Sequence, residues 1–299
     1  MSVERVLLTN DDGIDAVGLR ALYDALSDDY DVVAVAPTAD ESSVGRALSD
    51  EVDIADHELG YAVDGTPVDC VVAGLDALVP DADIVVAGCN KGANLGAYTL
   101  GRSGTVSAAV EAAFFDVPAV ATSMYVPGDE DWWKRELAPA EFANATRATR
   151  FLVAEATAAG TFDRADYLNV NAPIADGSGN GSGGGDGDGS GDGDGDGSGD
   201  GDGDGDGDTH APAPMRVTAP SPWYGMKAAC DGNGRVTFSD PIWGKMNRDD
   251  VPDSVGTDRR AVVDGEVSVS PLSVPHAAES DAGLDELAAT YGRASDTAR

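Results

Sequence analysis

Val6-Leu7-Leu8-Thr9-Asn10-Asp11-Asp12-Gly13 sets the architecture: an apolar run ends in two adjacent carboxylates and a glycine. Arg5 to Thr9 predicts a buried strand. The segment after it places Leu19, Leu22, Tyr23 and Leu26 at the i, i+3, i+4, i+7 spacing of one helix face. Asp31 to Ala36 is a second apolar strand, stopped by Pro37. Strand, helix, strand in this order implies a parallel pair joined by a right-handed crossover. In open parallel sheets ligands sit beyond the carboxyl ends of the strands, which puts Asp11 and Asp12 where chemistry is expected. Adjacent carboxylates repel, and both ionise cheaply only with a cation between them or water around them. A hard divalent cation with oxygen ligands answers that need. The alternative reading is a turn that caps the next helix, a role Asp and Gly also favour.

Composition narrows the partners. The 299 residues suit one large or two ordinary domains, and 54 acidic against 19 basic residues give a net charge of −35. Residues 174–208 are almost entirely Gly, Asp and Ser, hold eleven of the aspartates and cannot bury a core. The remainder is still strongly acidic, which argues against a nucleic-acid duplex as partner, since phosphate contacts need Lys and Arg. The only lysines are Lys91, Lys134, Lys227 and Lys245. Acid excess with scarce lysine fits a salt-rich cytoplasm, where a short Debye length screens self-repulsion. Cys70, Cys89 and Cys230 form no CxxC pair and fit a reduced protein better than a disulfide or zinc framework. There is no signal-like apolar core near Met1 and no membrane-length apolar run. A cytoplasmic location is expected, with no membrane partner.

Further strands are expected at 84–88, 119–122, 168–171, 215–218 and 267–269, with a weak hairpin over 51–63. Helices are expected from Pro67 through Leu75 and Leu78, after Ser103, over 138–155, and at Leu284, Leu287, Ala288 and Tyr291. Turns are expected near Pro271 and Pro275. Residues 174–208 read as a flexible linker. Their Asp-Gly repeat lacks both the apolar position of calcium β-rolls and the closing Glu of an EF-hand loop.

Three polar clusters end apolar strands: Asp11/Asp12, Ser42/Ser43 and Asn90/Asn94. In a parallel sheet those ends share one edge. Carboxylates, a hydroxyl and an amide carbonyl make an oxygen-lined site suited to magnesium, manganese or calcium rather than zinc. His57, His210 and His276 lie outside the clusters, which argues against a His-based triad or zinc centre. Ser103-Gly104-Thr105 opens a helix and offers hydroxyls, N–H groups and the positive dipole end to an anion, or serves as an ordinary cap. A cation and an anion cradle on one edge form the layout of metal-assisted phosphoryl transfer.

VLLTNDDGIDAVGLRAL, GTPVDC, DIVVAGCNKGANLG, SGTVSAAVEAA, LNVNAP and GTDRRAVVDGEVSVSPL follow one another in this order. Together they resemble the SurE family of survival proteins, metal-dependent nucleoside monophosphate phosphatases, over nearly the whole chain except residues 174–208. The resemblance implies an α/β fold: a Rossmann-like three-layer core with a mostly parallel sheet, a C-terminal β-extension and a final helix. The expected division is a catalytic core over 1–173, a Gly/Asp-rich insertion over 174–208, and the rest of the core with the β-extension over 209–299. It implies a homodimer or homotetramer that hydrolyses nucleoside 5′- and also 3′-monophosphates. One divalent cation per subunit, magnesium or manganese, falls on Asp11, Asp12, Ser42 and Asn90, with Ser43 the alternative hydroxyl. Phosphate contacts fall on Asn94, Ser103, Gly104 and Thr105. Asp11 or Asp12 would also serve as general base. Two rivals remain. One is a phosphatase with an aspartyl-phosphate intermediate, although its haloacid-dehalogenase-like form separates two aspartates by one residue. The other is a nucleotide-binding or stress-interaction protein without turnover.

Overall fold

A computed structural model describes residues 3–128, 132–175 and 212–274. In chain order its elements are β1 (Arg5–Thr9), α1 (Val17–Ser27), β2 (Asp31–Pro37), β3 (Ile54–His57), β4 (Gly60–Val63), α2 (Pro67–Ala73) and β5 (Ile84–Lys91). Then come α3 (Ala97–Leu100), α4 (Gly104–Phe114), β6 (Ala119–Tyr125), α5 (Ala143–Ala158), β7 (Tyr167–Pro173) and β8 (Met215–Val217). The hairpin β9 (Lys227–Cys230) and β10 (Val236–Ser239), α6 (Asp258–Val263) and β11 (Val267–Leu272) complete the set.

Nine strands form one sheet in the order β3-β4-β2-β1-β5-β6-β7-β11-β8. The central strands are parallel, while β3 on β4 and β11 on β7 are antiparallel. Alternation along β1 feeds two cores. Val6 and Leu8 face α1 and α5 with Leu19, Leu22, Leu26 and Val153. Leu7 faces α2 and α4 with Val71, Val106 and Ala109. The result is an α/β fold of three layers. From β1 the chain moves one way to β2 and β4, then crosses back to β5 on the other side. The strand order therefore reverses between β1 and β5, and their carboxyl ends carry Asp11/Asp12 and Asn90. That reversal is the position where open α/β sheets bind ligands.

Several elements depart from the sequence expectation. The helix expected over 138–155 is a 3-10 turn (Pro139–Phe142) followed by α5. Beyond α2, Gly74–Leu78 continues as a π-turn. The turn expected near Pro271 is strand: β8 pairs with β11 only as far as Val269, so the missing N–H of Pro271 leaves no bond unmade on that side. The Asp-Asp-Gly stretch does not cap α1, whose N-cap is Ala16, without a side-chain cap. The sequence expectation assigned no element to α3 or to the β9–β10 hairpin. Almost all of the 174–208 linker, the Pro275 turn and the helix expected at 284–291 lie outside the described residues. Among the described residues no helix is long and apolar enough to cross a membrane.

Leu7 is fully buried at the centre of the α2/α4 face. Leu7→Ala is expected to cost about 2–5 kcal/mol in denaturant unfolding followed by circular dichroism; an unchanged midpoint would contradict this packing.

Candidate functional site

β1 ends by delivering Asn10 and Asp11 into the protein, both buried, and Asp12 half-buried beside them. Asn10 Nδ2 donates to the Gly13 carbonyl (2.8 Å) and holds the turn, while its buried Oδ1 has no hydrogen-bond partner. The loop after β2 is tied to the same turn. Ile14 N–H donates to Pro37 O (2.8 Å) and Glu41 N–H to Asp11 O (2.7 Å). Ser42 follows directly, its N–H donating to Asp40 Oδ1 (2.8 Å), and Ser43 adopts a left-handed φ of +64°. Both serine side chains are on the exposed face of this loop.

The start of α4 closes on Asp11 from the other side. Thr105 Oγ1 donates to Asp11 Oδ1 at 2.5 Å. Gly104 permits the approach, since a Cβ there would lie 2.7 Å from Asp11 Cβ. Ser103 caps the helix by accepting from Val106 N–H (3.0 Å), which leaves its own O–H proton unspent on the cap. The first N–H groups of any helix also lack intrahelical partners.

β5 contributes Asn90 and Lys91. Asn90 Nδ2 donates to Gly92 O (2.6 Å), so the amide oxygen is turned the opposite way, and Lys91 N–H donates to Asp12 Oδ2 (2.9 Å). Asn94 is buried in a polar knot. Its N–H donates to Asn171 Oδ1 (2.8 Å), its Nδ2 to Ser123 Oγ (2.8 Å), and its carbonyl accepts from Asn169 and Asn171. Asp258 fixes the next turn by accepting from Gly96 N–H (2.6 Å) and Ser221 N–H (3.0 Å).

The structure thus brings Asp11, Asp12, Gly104 and Thr105 into one cluster, with Asn90 at the end of the adjoining strand and Ser42 on the loop tied to Asp11. The Thr105 hydroxyl donates its proton to Asp11, and the Asn94 amide donates one of its two N–H groups to Ser123. Asn10, Asn169, Asn171 and Asp258 were not singled out from sequence. The alternation Asn169-Val170-Asn171 in an otherwise buried strand was the available signal.

Burial raises the proton affinity of both carboxylates. Asp11 rises against the opposing pull of Thr105. Asp12 is pushed up to about 7, first by burial and then by the charge of Asp11, with Lys91 N–H opposing. The charge of Lys91 is the smallest of the opposing influences, its Nζ being turned to the carbonyls of Trp133 and Arg135. Among the described residues no group of three or more His, Cys, Asp and Glu is arranged to hold a metal. The oxygen set here needs only two such residues, with hydroxyl and amide oxygens completing it, and that donor chemistry matches a hard cation. Two buried carboxylates with raised proton affinity and an orphaned Asn10 oxygen fit a site whose positive charge comes from a bound ion.

A folded pKa above the unfolded one gives stability that is present below about pH 4 and is lost as pH rises through about 7. In chelator, wild type is therefore expected to lose stability relative to Asp12→Asn between pH 4 and 8. Parallel pH dependence of the two proteins in denaturant titrations would contradict the assignment.

The family model described as "Survival protein SurE" matches residues 6–182. The chain is 54% identical over 288 residues to the 5′-nucleotidase SurE of Haloquadratum walsbyi, covering 96% of each chain. It is 52% identical over 293 residues to that of Haloarcula marismortui, covering 97% of this chain and 96% of the relative. The crystal structure of the SurE protein from Aquifex aeolicus superposes with a TM-score of 0.65 at 26% identity, over 91% of this chain and 94% of that one. Motif order, fold and relatives agree: the chain belongs to the SurE family.

Proposed function

We propose that the chain is a metal-dependent phosphomonoesterase that releases phosphate from nucleoside 5′-monophosphates and also accepts 3′-monophosphates. The observation that carries this reading is the buried Asp11/Asp12 pair, held between the start of α4 and the end of β5 at the reversal of strand order. Relatives sharing about half of its residues are named 5′-nucleotidases, which supports the same activity here. Asp11, Asp12, Ser42 and Asn90 would hold one magnesium or manganese ion. Such an ion supplies Lewis acidity and cancels charge between the carboxylates and a phosphate dianion, an effect worth several kcal/mol.

The chain's own groups do the rest. Thr105 orients Asp11, and Lys91 N–H fixes Asp12. The Ser103 hydroxyl and the Gly104 N–H donate to phosphoryl oxygens, each preorganised donor being worth roughly 3–4 kcal/mol in the transition state. Asn94, its main chain held by Asn169 and Asn171 and one amide N–H by Ser123, offers its second amide N–H to a phosphoryl oxygen. Asp12, which lines an adjoining cavity, would take the proton of the attacking water. Asp11 is already committed to Thr105, which favours water over an aspartyl nucleophile.

The test is phosphate release from AMP and 3′-AMP in concentrated KCl, with magnesium or manganese and with EDTA. Activity should vanish in EDTA and return with the metal, and Asp11→Asn should lose both turnover and metal binding. A metal-independent rate would defeat the reading. Thr105→Val removes an orienting bond and should cost about 10–100-fold in kcat or metal affinity, with wild-type values in both overturning its role.

The proposal includes a homo-oligomer. The β9–β10 hairpin is exposed throughout, with Val236 at 47% and Phe238 at 71% exposure. Apolar side chains held out together mark an interaction surface. Light scattering should report a dimer or tetramer that Phe238→Asp weakens, and a wild-type monomer would contradict it.

A further inference from the structure

Two buried charges open α6, and the chemistry above uses neither. Asp258 and Arg259 are the first residues of that helix, at 0% and 2% exposure. Charged side chains are almost never buried that far without partners, and the partners here lie in two other segments of the chain.

Asp258 spends both carboxylate oxygens on backbone groups. Oδ2 accepts from Gly96 N–H (2.6 Å), and Oδ1 accepts from Ser221 N–H (3.0 Å) and Arg259 N–H (2.7 Å). Arg259 bridges the same two segments. Its Nη1 donates to Trp223 O (2.8 Å) and Ser221 Oγ (3.3 Å), and its Nη2 donates to Leu95 O (3.4 Å). The fit is tight at Gly96, where φ is +82° and a Cβ would lie 2.2 Å from Arg259 Nη2. Asp253 faces the guanidinium at 4.0 Å with neither buried oxygen hydrogen-bonded, so it serves Arg259 as a countercharge. Ala97 N–H adds a direct bond to Ser221 O (2.9 Å). The start of α6 thus clamps the loop 95–97, between β5 and α4, to residues 221–223, which lead into the β9–β10 hairpin.

That loop begins one residue after Asn94. The main chain of Asn94 is held by Asn169 and Asn171 of β7, and the three residues that follow it are held from α6. Beyond Ala97 the chain runs through α3 to Ser103 and Gly104. Neither Asp258 nor Arg259 bonds to Asp11, Asp12, Ser42 or Asn90.

We propose that Asp258 and Arg259 are positioning residues for phosphate binding, setting the 95–97 loop, and with it the Asn94 amide, against the root of the hairpin. The role rests on the phosphatase reading. Hydrogen bonds to buried charges are costly to break and hold one geometry, which suits a loop that must keep a donor preorganised. A mere brace for α6 would add stability and leave phosphate affinity alone.

Orthophosphate is titrated calorimetrically into magnesium-loaded wild type, Asp258→Asn, Arg259→Lys and Arg260→Gln in concentrated KCl. Magnesium affinity, melting curves and the kcat and KM for AMP are measured on the same proteins. Asp258→Asn keeps the shape and loses one acceptor; Arg259→Lys keeps the charge and loses the fork of donors. Each should weaken phosphate binding about tenfold and raise KM more than it lowers kcat, with magnesium affinity within about twofold of wild type. Arg260→Gln breaks the ion pair with Asp264 on the same helix without touching the loop, and should leave phosphate affinity unchanged. Unchanged phosphate affinity in a folded Asp258 or Arg259 variant, an equal loss of magnesium affinity, or an equal loss in Arg260→Gln would overturn the proposal. Amide hydrogen exchange on wild type needs no variant to fold: phosphate should slow exchange over 95–97 and 221–223 together, and slowing over 95–97 alone would contradict the clamp. Phosphate binding that both variants weaken, in a wild type that hydrolyses no ester, would overturn the phosphatase reading and leave the positioning role standing.

Discussion

The contact between the Asp11 carboxylate and the first turn of α4 is the constraint on which the site depends. Thr105 Oγ1 reaches Asp11 at 2.5 Å, and Gly104 lets the helix come that close. Asp11 is thereby the anion at the positive end of α4, which favours its charged form against the cost of burial. Asp12 is pushed up to about 7 by burial and by the charge of Asp11. The same turn therefore presents two carboxylates whose proton affinity burial raises, Asp12 further by the charge of Asp11. A cation that both can share removes the conflict. In this way the position of a helix on the far face of the sheet sets the electrostatics of a strand end.

Topology makes the arrangement possible. β1 lies between β2 and β5, and the chain reverses direction across it. Loops from both neighbours must turn away from the gap, and the Asp11-Asp12 turn fills it. Glu41 N–H ties the loop after β2 to Asp11 O, and Lys91 N–H ties the end of β5 to Asp12. Beneath the gap, Asn169 and Asn171 on β7 hold the backbone of Asn94, so the loop leading to α4 rests on a buried polar floor. Each polar group in that floor is buried, which makes its hydrogen bonds costly to break and the geometry correspondingly fixed.

Much of this was legible in the sequence because the signals are periodic. Apolar runs such as Val6-Leu7-Leu8 and Ile84-Val85-Val86 mark fully buried strands, and the Leu19/Leu22/Leu26 stripe marks the helix between β1 and β2. Parallel pairing then places Asp11, Ser42 and Asn90 on one edge without any coordinates. What stayed hidden depends on partners distant in sequence. Nothing in Ser103-Gly104-Thr105 reveals that Thr105 turns its hydroxyl to Asp11, 94 residues away. The Asp-Asp-Gly stretch carries the residue types of a helix cap, yet α1 starts later, at Val17. Pro271 looked like a turn because its tolerance in β11 depends on where β8 stops pairing. The β9–β10 hairpin has short, exposed strands, and the alternation Val236-Thr237-Phe238-Ser239 in β10 is only four residues long.

The central claim is that Asp11 and Asp12 hold a cation while the start of α4 holds the phosphate. Crystals grown with manganese and AMP, measured at the manganese absorption edge, test it most directly. The account predicts one anomalous peak within coordinating distance of Asp11, Asp12, Ser42 and Asn90, with the phosphate against Ser103 and Gly104. A manganese peak away from the aspartates, or a phosphate bound elsewhere, would contradict it.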